Sequence, residues 1–163
     1  AIRFNIARTG PTSVTCDFDY FADNKWIEFI NLTFDNNLVS KPFTYASYLT
    51  GSFNGCSNLR RIYGEINVTD AKNAFTDTFK GCVKLEDVEL YGLNKDVSFA
   101  DSPRLSKESL LYMINNCALG VSFTISLHPN VHDRSNNEWL EDIDRALGRA
   151  DAGKQTNITL ARA

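Results

Sequence analysis

Residues 53–62 read Phe53-Asn54-Gly55-Cys56-Ser57-Asn58-Leu59-Arg60-Arg61-Ile62, and residues 79–88 read Phe79-Lys80-Gly81-Cys82-Val83-Lys84-Leu85-Glu86-Asp87-Val88. Phe, Gly, Cys, Leu and a β-branched residue recur at one offset of 26 (79 − 53). A fixed offset in this range is the mark of a solenoid, in which each repeat forms one turn of a stacked coil and buries its apolar face only against its neighbours. Such folds present an extended face for binding more often than an enclosed catalytic pocket.

The second copy continues as Leu85-Glu86-Asp87-Val88-Glu89-Leu90, which fits the L-x-x-L-x-L strand of leucine-rich repeats. The first copy keeps two of those three positions and has Gly64 at the last. The pattern predicts that Leu59, Ile62, Leu85 and Val88 point inward. Phe53 and Phe79 fill the opposite side of each coil, and Gly55 and Gly81 mark tight turns with no room for a Cβ. A degraded third copy follows. Phe99 and Leu105 keep the six-residue spacing, Ser102-Pro103 stands for Gly-Cys, and a helix replaces the strand.

That helix has Ser106 as N-cap and Glu108 at its positive end. Its apolar stripe is Leu110, Leu111, Ile114 and Cys117, and it ends near Gly120. Val121, Phe123, Ile125 and Leu127 then alternate as a strand that Pro129 stops. Ser135 and Glu138 form a capping-box signature for a helix carrying Trp139, Leu140, Ile143, Ala146 and Leu147. Gly153 lies past that helix, and Ile158 and Leu160 mark a last strand. This helix-strand-helix-strand unit is expected to cap the coil stack.

Residues 1–50 read differently. Ile2, Phe4 and Ile6 alternate, as do Val14, Cys16, Phe18 and Tyr20, with a turn at Gly10-Pro11 between them, which predicts a hairpin of half-buried strands. Trp26 to Phe34 is strand-like without a clear register, and Asp35-Asn36-Asn37 reads as a turn. The segment is either a divergent capping repeat or a small β element docked on the coil. The expected organisation is thus a β-rich N-terminal segment or capping element, 1–50, and a solenoid with its C-terminal cap, 51–163. The fold class is α/β, a short leucine-rich-repeat-like solenoid.

The 163 residues suffice for one core, and 43% hydrophobic with 23% charged residues is ordinary for a folded protein. A net charge of −3 gives no electrostatic case for nucleic acid. No apolar run is long enough to cross a bilayer, and no signal-peptide pattern is legible. The cysteines are Cys16, Cys56, Cys82 and Cys117. The two within the repeat read as stacked buried thiols, with a disulfide between coils as the alternative. No C-x-x-C pattern of a structural zinc site occurs.

The phrase Phe-x-Gly-Cys-x-x-Leu-x-x-Ile/Val resembles the BspA-like leucine-rich-repeat family of bacterial surface proteins. Asn67-Val68-Thr69-Asp70, ahead of Phe75 and of Phe79-Lys80-Gly81-Cys82, looks like a phrase of one branch of that family. The segment from Ser102-Pro103 through Ser106-Lys107-Glu108-Ser109-Leu110-Leu111 to His128-Pro129 is similar to the C-terminal end of such proteins in Bacteroides-type bacteria and their phages. The resemblance covers about residues 51–163. It implies a binding module on a cell surface, or in a virion as a tail or capsid accessory, and it maps no catalytic residue.

Residues that could carry chemistry are few. Asp17, Asp19 and Glu28 match three positions of an EF-hand loop, but Phe21 and Ala22 stand where a ligand and a Gly are needed. His128, His132 and Asp133 are close in sequence, and Pro129 argues against a metal-binding helix through both histidines. Glu138, Glu141, Asp142 and Asp144 read as the solvated side of a helix. Asn-x-Ser/Thr sequons start at Asn31, Asn67 and Asn157. Strand alternation turns Asp87, Glu89 and Tyr91 outward, and the repeat offset puts Arg61, Tyr63 and Glu65 beside them. Arg61 is expected to neighbour Asp87, and Tyr63 to neighbour Glu89. Ser122, Thr124, Ser126 and His128 extend this face if the next strand stacks in line. The six residues Arg61, Tyr63, Glu65, Asp87, Glu89 and Tyr91 are the expected partner-binding surface, for a protein or glycan. No cofactor, metal, nucleic acid or membrane insertion is expected, and no catalysis. The rival reading is a hydrolase using His128 or His132 in a cleft.

Overall fold

A computed structural model describes residues 2–5, 13–16, 21–32, 43–46, 50–72, 75 and 77–163, with side chains placed for all of these except 2–5, 13–16 and 43–46. The chain is mixed α/β, and the described residues form two small parallel sheets and three helices. The strands are β1 (Ile2–Asn5), β2 (Ser13–Cys16), β3 (Ile27–Asn31), β4 (Phe43–Ala46), β5 (Arg61–Asn67), β6 (Asp87–Tyr91), β7 (Val97–Phe99), β8 (Ser122–Leu127) and β9 (Asn157–Arg162). The helices are α1 (Lys107–Asn115), α2 (Pro129–Ser135) and α3 (Leu140–Lys154). The larger sheet runs β1-β3-β5-β4-β2, with β6 also paired to β5, and the smaller runs β7-β8-β9.

The core is organised by four phenylalanines. The rings of Phe21, Phe53, Phe79 and Phe99 stack in one column, with centroid separations of 5.9, 5.6 and 4.9 Å. Six residues beyond each ring stands a buried aliphatic side chain: Ile27, Leu59, Leu85 and Leu105. Three residues further, Ile30, Ile62 and Val88 are also buried. The backbone repeats the alignment. Arg60 N donates to Glu28 O, Glu86 N to Arg60 O and Ser106 N to Glu86 O, each at 2.8 Å. Stacking like on like buries each layer's apolar wall against the next, and each fully buried Phe contributes roughly 1.5–3 kcal/mol.

The stack therefore has a layer, 21–32, that the strand-like reading of Trp26 to Phe34 did not register. Its Phe21-to-Ile27 spacing is the same six residues as Phe53 to Leu59. The separation between successive phenylalanines changes from 32 to 26 to 20 (53 − 21, 79 − 53, 99 − 79). Because the separation is not constant, a search at one offset finds only the middle pair.

The expected N-terminal hairpin is not formed. β1 pairs with β3 and β2 with β4, all parallel, and β3 and β4 share one edge of β5. Strand alternation sets a burial pattern but not a partner, and the empty edges lay on β3 and β4 rather than between β1 and β2. The Gly10-Pro11 and Asp35-Asn36-Asn37 turns lie outside the described residues.

Cys56 Sγ donates to Phe21 O at 2.8 Å and Cys82 Sγ to Phe53 O at 3.1 Å, so each thiol is bonded one layer back. Cys56, Cys82 and Cys117 are free and buried. Burial pushes the Cys56 thiol up to about 11 and the Cys82 thiol up to about 12, because a thiolate loses its hydration there. Iodoacetamide at pH 8 should leave Cys56 and Cys82 unmodified in the folded protein and alkylate both in urea. Fast alkylation of either without denaturant, read by mass spectrometry, would show that the thiol column is open.

The two glycines of the phrase are required for different reasons. Gly55 has φ +77°, and a Cβ there would run into the Asp23 carboxylate. Gly81 has φ +73° but ordinary space around it, so backbone conformation alone demands it. In the next layer Asp101-Ser102, not Ser102-Pro103, stands at the Gly-Cys positions. Asp101 Oδ2 accepts from Gly81 N at 2.8 Å, and the buried Ser102 hydroxyl donates to Cys82 O at 3.1 Å.

The larger sheet stops at β6 because α1 takes the place of the next strand. Val88 N donates to the buried Ser109 hydroxyl at 2.9 Å, and Gly92 N to Asn116 O at 2.8 Å. α1 thus lies along an edge of the kind that, left open, can pair with another chain, and bonds its Val88 N–H. Ser106 caps α1 as expected, accepting from Ser109 N at 3.1 Å. The helix ends at Asn115, short of Gly120, because the chain turns at Asn116 to meet Gly92.

Four further expectations are corrected by the C-terminal elements. Pro129 does not merely stop β8: it occupies the first turn of α2, where its missing N–H costs nothing, and His128 is the N-cap. Ser135 belongs to α2 and donates to His132 O at 2.7 Å, so it caps no later helix, and α3 follows Trp139 without a side-chain cap. α3 runs through Gly153 and closes on Gln155 in the left-handed conformation, φ 52°. β8 joins β7 and β9 instead of β6, so Ser122, Thr124, Ser126 and His128 do not extend the β5–β6 face.

Candidate functional site

The outward row of β5 and β6 is held by ion pairs. Arg61 sits opposite Asp87 in the ladder, as expected, and its Nε lies 3.1 Å from Asp87 Oδ2. Ser106 Oγ donates to Asp87 Oδ1 at 2.7 Å. Glu86 is the hub that sequence reading missed. Its carboxylate lies 3.0 Å from Arg60, 3.3 Å from Arg61 and 4.0 Å from Arg104. Burial alone would raise the Glu86 pKa, but hydrogen bonds and charge from Arg60 and Arg61 outweigh it and hold the carboxyl below its ordinary range.

Tyr63 does not neighbour Glu89. The ladder shifts after Arg61, so Glu65 lies opposite Glu89 and Asn67 opposite Tyr91. β5 carries two more residues than β6 between those pairs, and Gly64 absorbs them at φ +95°. A Cβ on Gly64 would lie 3.0 Å from the Leu32 carbonyl carbon. Leu32 N donates to Tyr63 O at 2.7 Å, so the bulge is clamped by the layer before it. Two like charges opposite one another are unfavourable, and the Tyr112 hydroxyl donates to the Glu65 carboxylate and offsets this. Tyr63 stacks on Phe29 with centroids 6.1 Å apart and remains 42% exposed. Tyr91 is 36% exposed and Glu89 is exposed. Of the six expected residues, Arg61 and Asp87 are joined, Glu65 turns to Tyr112, and Tyr63, Glu89 and Tyr91 offer the accessible surface.

The histidines occupy the C-terminal unit. His128 Nδ1 accepts from Asn130 N at 3.1 Å, and His132 Nδ1 lies 3.8 Å from Asp133 Oδ1. Three surface depressions, of about 410, 180 and 340 Å³, have no histidine in their walls. Among the described residues no group of three or more His, Cys, Asp or Glu side chains could hold a metal ion. No described helix is long and apolar enough to cross a membrane. The sequon residue Asn67 is buried, and its Oδ1 accepts from Thr69 N at 3.0 Å.

Compared with protein-family models, curated proteins and solved structures, the chain matches none.

Proposed function

We propose that the chain is a short leucine-rich-repeat-like solenoid that acts as a non-catalytic binding module, displayed on a bacterial surface and engaging a protein or glycan through the outward row of β5 and β6. The observation that carries this reading is the fixed row itself. Parallel strands hold Tyr63 exposed two residues from the Arg61–Asp87 pair and Tyr91 exposed at the far end of β6, on a backbone locked by the phenylalanine column. Exposed tyrosines on a rigid frame lose little conformational entropy on binding, and tyrosine and arginine dominate the energetic centres of interfaces. The BspA-like resemblance of the repeat phrase supports the surface setting.

The test pairs two double variants. Tyr63→Ala/Tyr91→Ala should weaken capture of the partner by at least roughly tenfold, since losing a central aromatic costs more than about 1.4 kcal/mol. His128→Ala/His132→Ala should leave capture unchanged. Pulldown and glycan-array binding are read on both, together with hydrolysis of ester and glycoside substrates. Wild-type binding by the tyrosine variant would move the site elsewhere, and turnover lost with the histidines would establish the hydrolase instead.

A further inference from the structure

The layers align a second set of side chains that the outward row does not use. Asn58, Lys84 and Arg104 each stand five residues beyond their layer's phenylalanine, and Trp26 holds that position in the Phe21 layer. The chain registers them closely. Asn58 Nδ2 donates to Lys25 O at 2.7 Å, and Arg60 N donates to Glu28 O at 2.8 Å, which places Trp26 in the layer directly above Asn58. Lys84 Nζ donates to Asn58 Oδ1 at 2.6 Å. Trp26, Asn58, Lys84 and Arg104 thus form one column along the surface. At about 4.8 Å per layer it spans roughly 14 Å.

A depression of about 410 Å³ lies along this column, walled by Glu28, Asn58, Arg60, Lys84 and Arg104. Three of its five walls are cationic. Arg60 and Arg104 share the Glu86 carboxylate, which also serves Arg61. Among the described residues no carboxylate comes within 4.0 Å of the Lys84 ammonium, whose bonded partner is the neutral Asn58 amide. Arg60 Nε is buried and has no hydrogen-bond partner among the described residues, an uncommon condition for a charged donor. At the upper end Trp26 is 75% exposed, the most exposed large hydrophobic side chain described. The wall thus carries three cations against the one carboxylate of Glu28, with Lys84 bonded to an amide, and the exposed indole stands one layer above, which suits a ligand with an apolar ring face, hydroxyls and a negative group.

We infer that this column is a binding site for an acidic glycan. A pyranose ring stacks on Trp26, hydroxyls meet Asn58, and a carboxylate or sulfate on the next sugar sits between Lys84 and Arg104. The inference does not depend on the Tyr63–Tyr91 face. Cations and an aromatic platform divide the recognition: the charge selects acidic sugars and the ring selects sugars over free anions. Neighbouring charges in a solvent-exposed site also make binding sensitive to salt.

The test is an array of acidic and neutral oligosaccharides, followed by titration calorimetry with the strongest acidic ligand, its neutral analogue and inorganic sulfate. Trp26→Ala and the double variant Lys84→Ala/Arg104→Ala should each weaken acidic-glycan binding by at least about tenfold, with unchanged melting temperature because all three side chains are exposed. Tyr63→Ala/Tyr91→Ala should leave it unchanged, and raising NaCl from 0.05 to 0.5 M, about a tenfold range, should weaken it severalfold. The inference is overturned if no acidic glycan binds at millimolar concentration, if neutral analogues bind equally, or if sulfate binds as tightly as the glycan. It is also overturned if binding survives both column variants, and loss on the tyrosine variant alone would assign glycan binding to the outward row instead.

Discussion

Phe79→Ala should destabilise the protein by about 3–5 kcal/mol, a large share of the roughly 5–15 kcal/mol that holds a typical domain together. Phe79 is fully buried between two other rings, Phe53 at 5.6 Å and Phe99 at 4.9 Å. Its removal leaves a hole in the middle of a column whose neighbours are fixed by backbone hydrogen bonds between layers, so the void cannot collapse. Two ring–ring contacts are lost as well, each about 0.5–1.5 kcal/mol beyond the area they bury. Val83→Ala is the control, since Val83 is 47% exposed in the same layer and its loss should stay within about 0.5 kcal/mol. Urea denaturation followed by circular dichroism measures both. Equal midpoint shifts for the two variants would refute the central role of the column.

Deletion of residues 130–163 should abolish a soluble monomer. β9 pairs with β8 along all six residues of each strand, and Ile143, Ala146 and Ala150 of α3 are buried. Without them the edge of β8 is open and Phe123, Ile125 and Leu127, all buried now, lose their cover. An unpaired strand with an apolar face templates association. The expected result is aggregation or a molten chain, seen by light scattering and by loss of near-ultraviolet dichroism. A monomeric truncation with the melting temperature of the full chain would show that this unit only decorates the fold.

Particular elements show where sequence reading reached and where it stopped. The phrase from Phe53 to Ile62 and its copy from Phe79 to Val88 were sufficient to place the inward residues, because burial follows from local alternation and from the spacing of one ring to one aliphatic residue. Ser106 was legible as a cap for the same reason, its partner lying three residues away. The inward and outward sets of β6 were also local, and Val88 and Leu90 are buried while Glu89 is exposed.

Pairing was not local. β1 and β2 carry the alternation of a hairpin, yet their partners are β3 and β4, since a strand's sequence records which face it buries and not which edge is open to it. The Tyr63–Glu89 expectation failed on the bulge at Gly64, where the register depends on how Leu32 packs from the layer before. The charged hub at Glu86 and the column from Trp26 to Arg104 join residues from different layers, separated by unequal numbers of residues along the chain. Sequence by itself determined the interiors of the two layers that carry the full phrase. Only the tertiary structure decided how the layers align, because alignment is set by the stacking of rings and the hydrogen bonds between backbones that are remote along the chain.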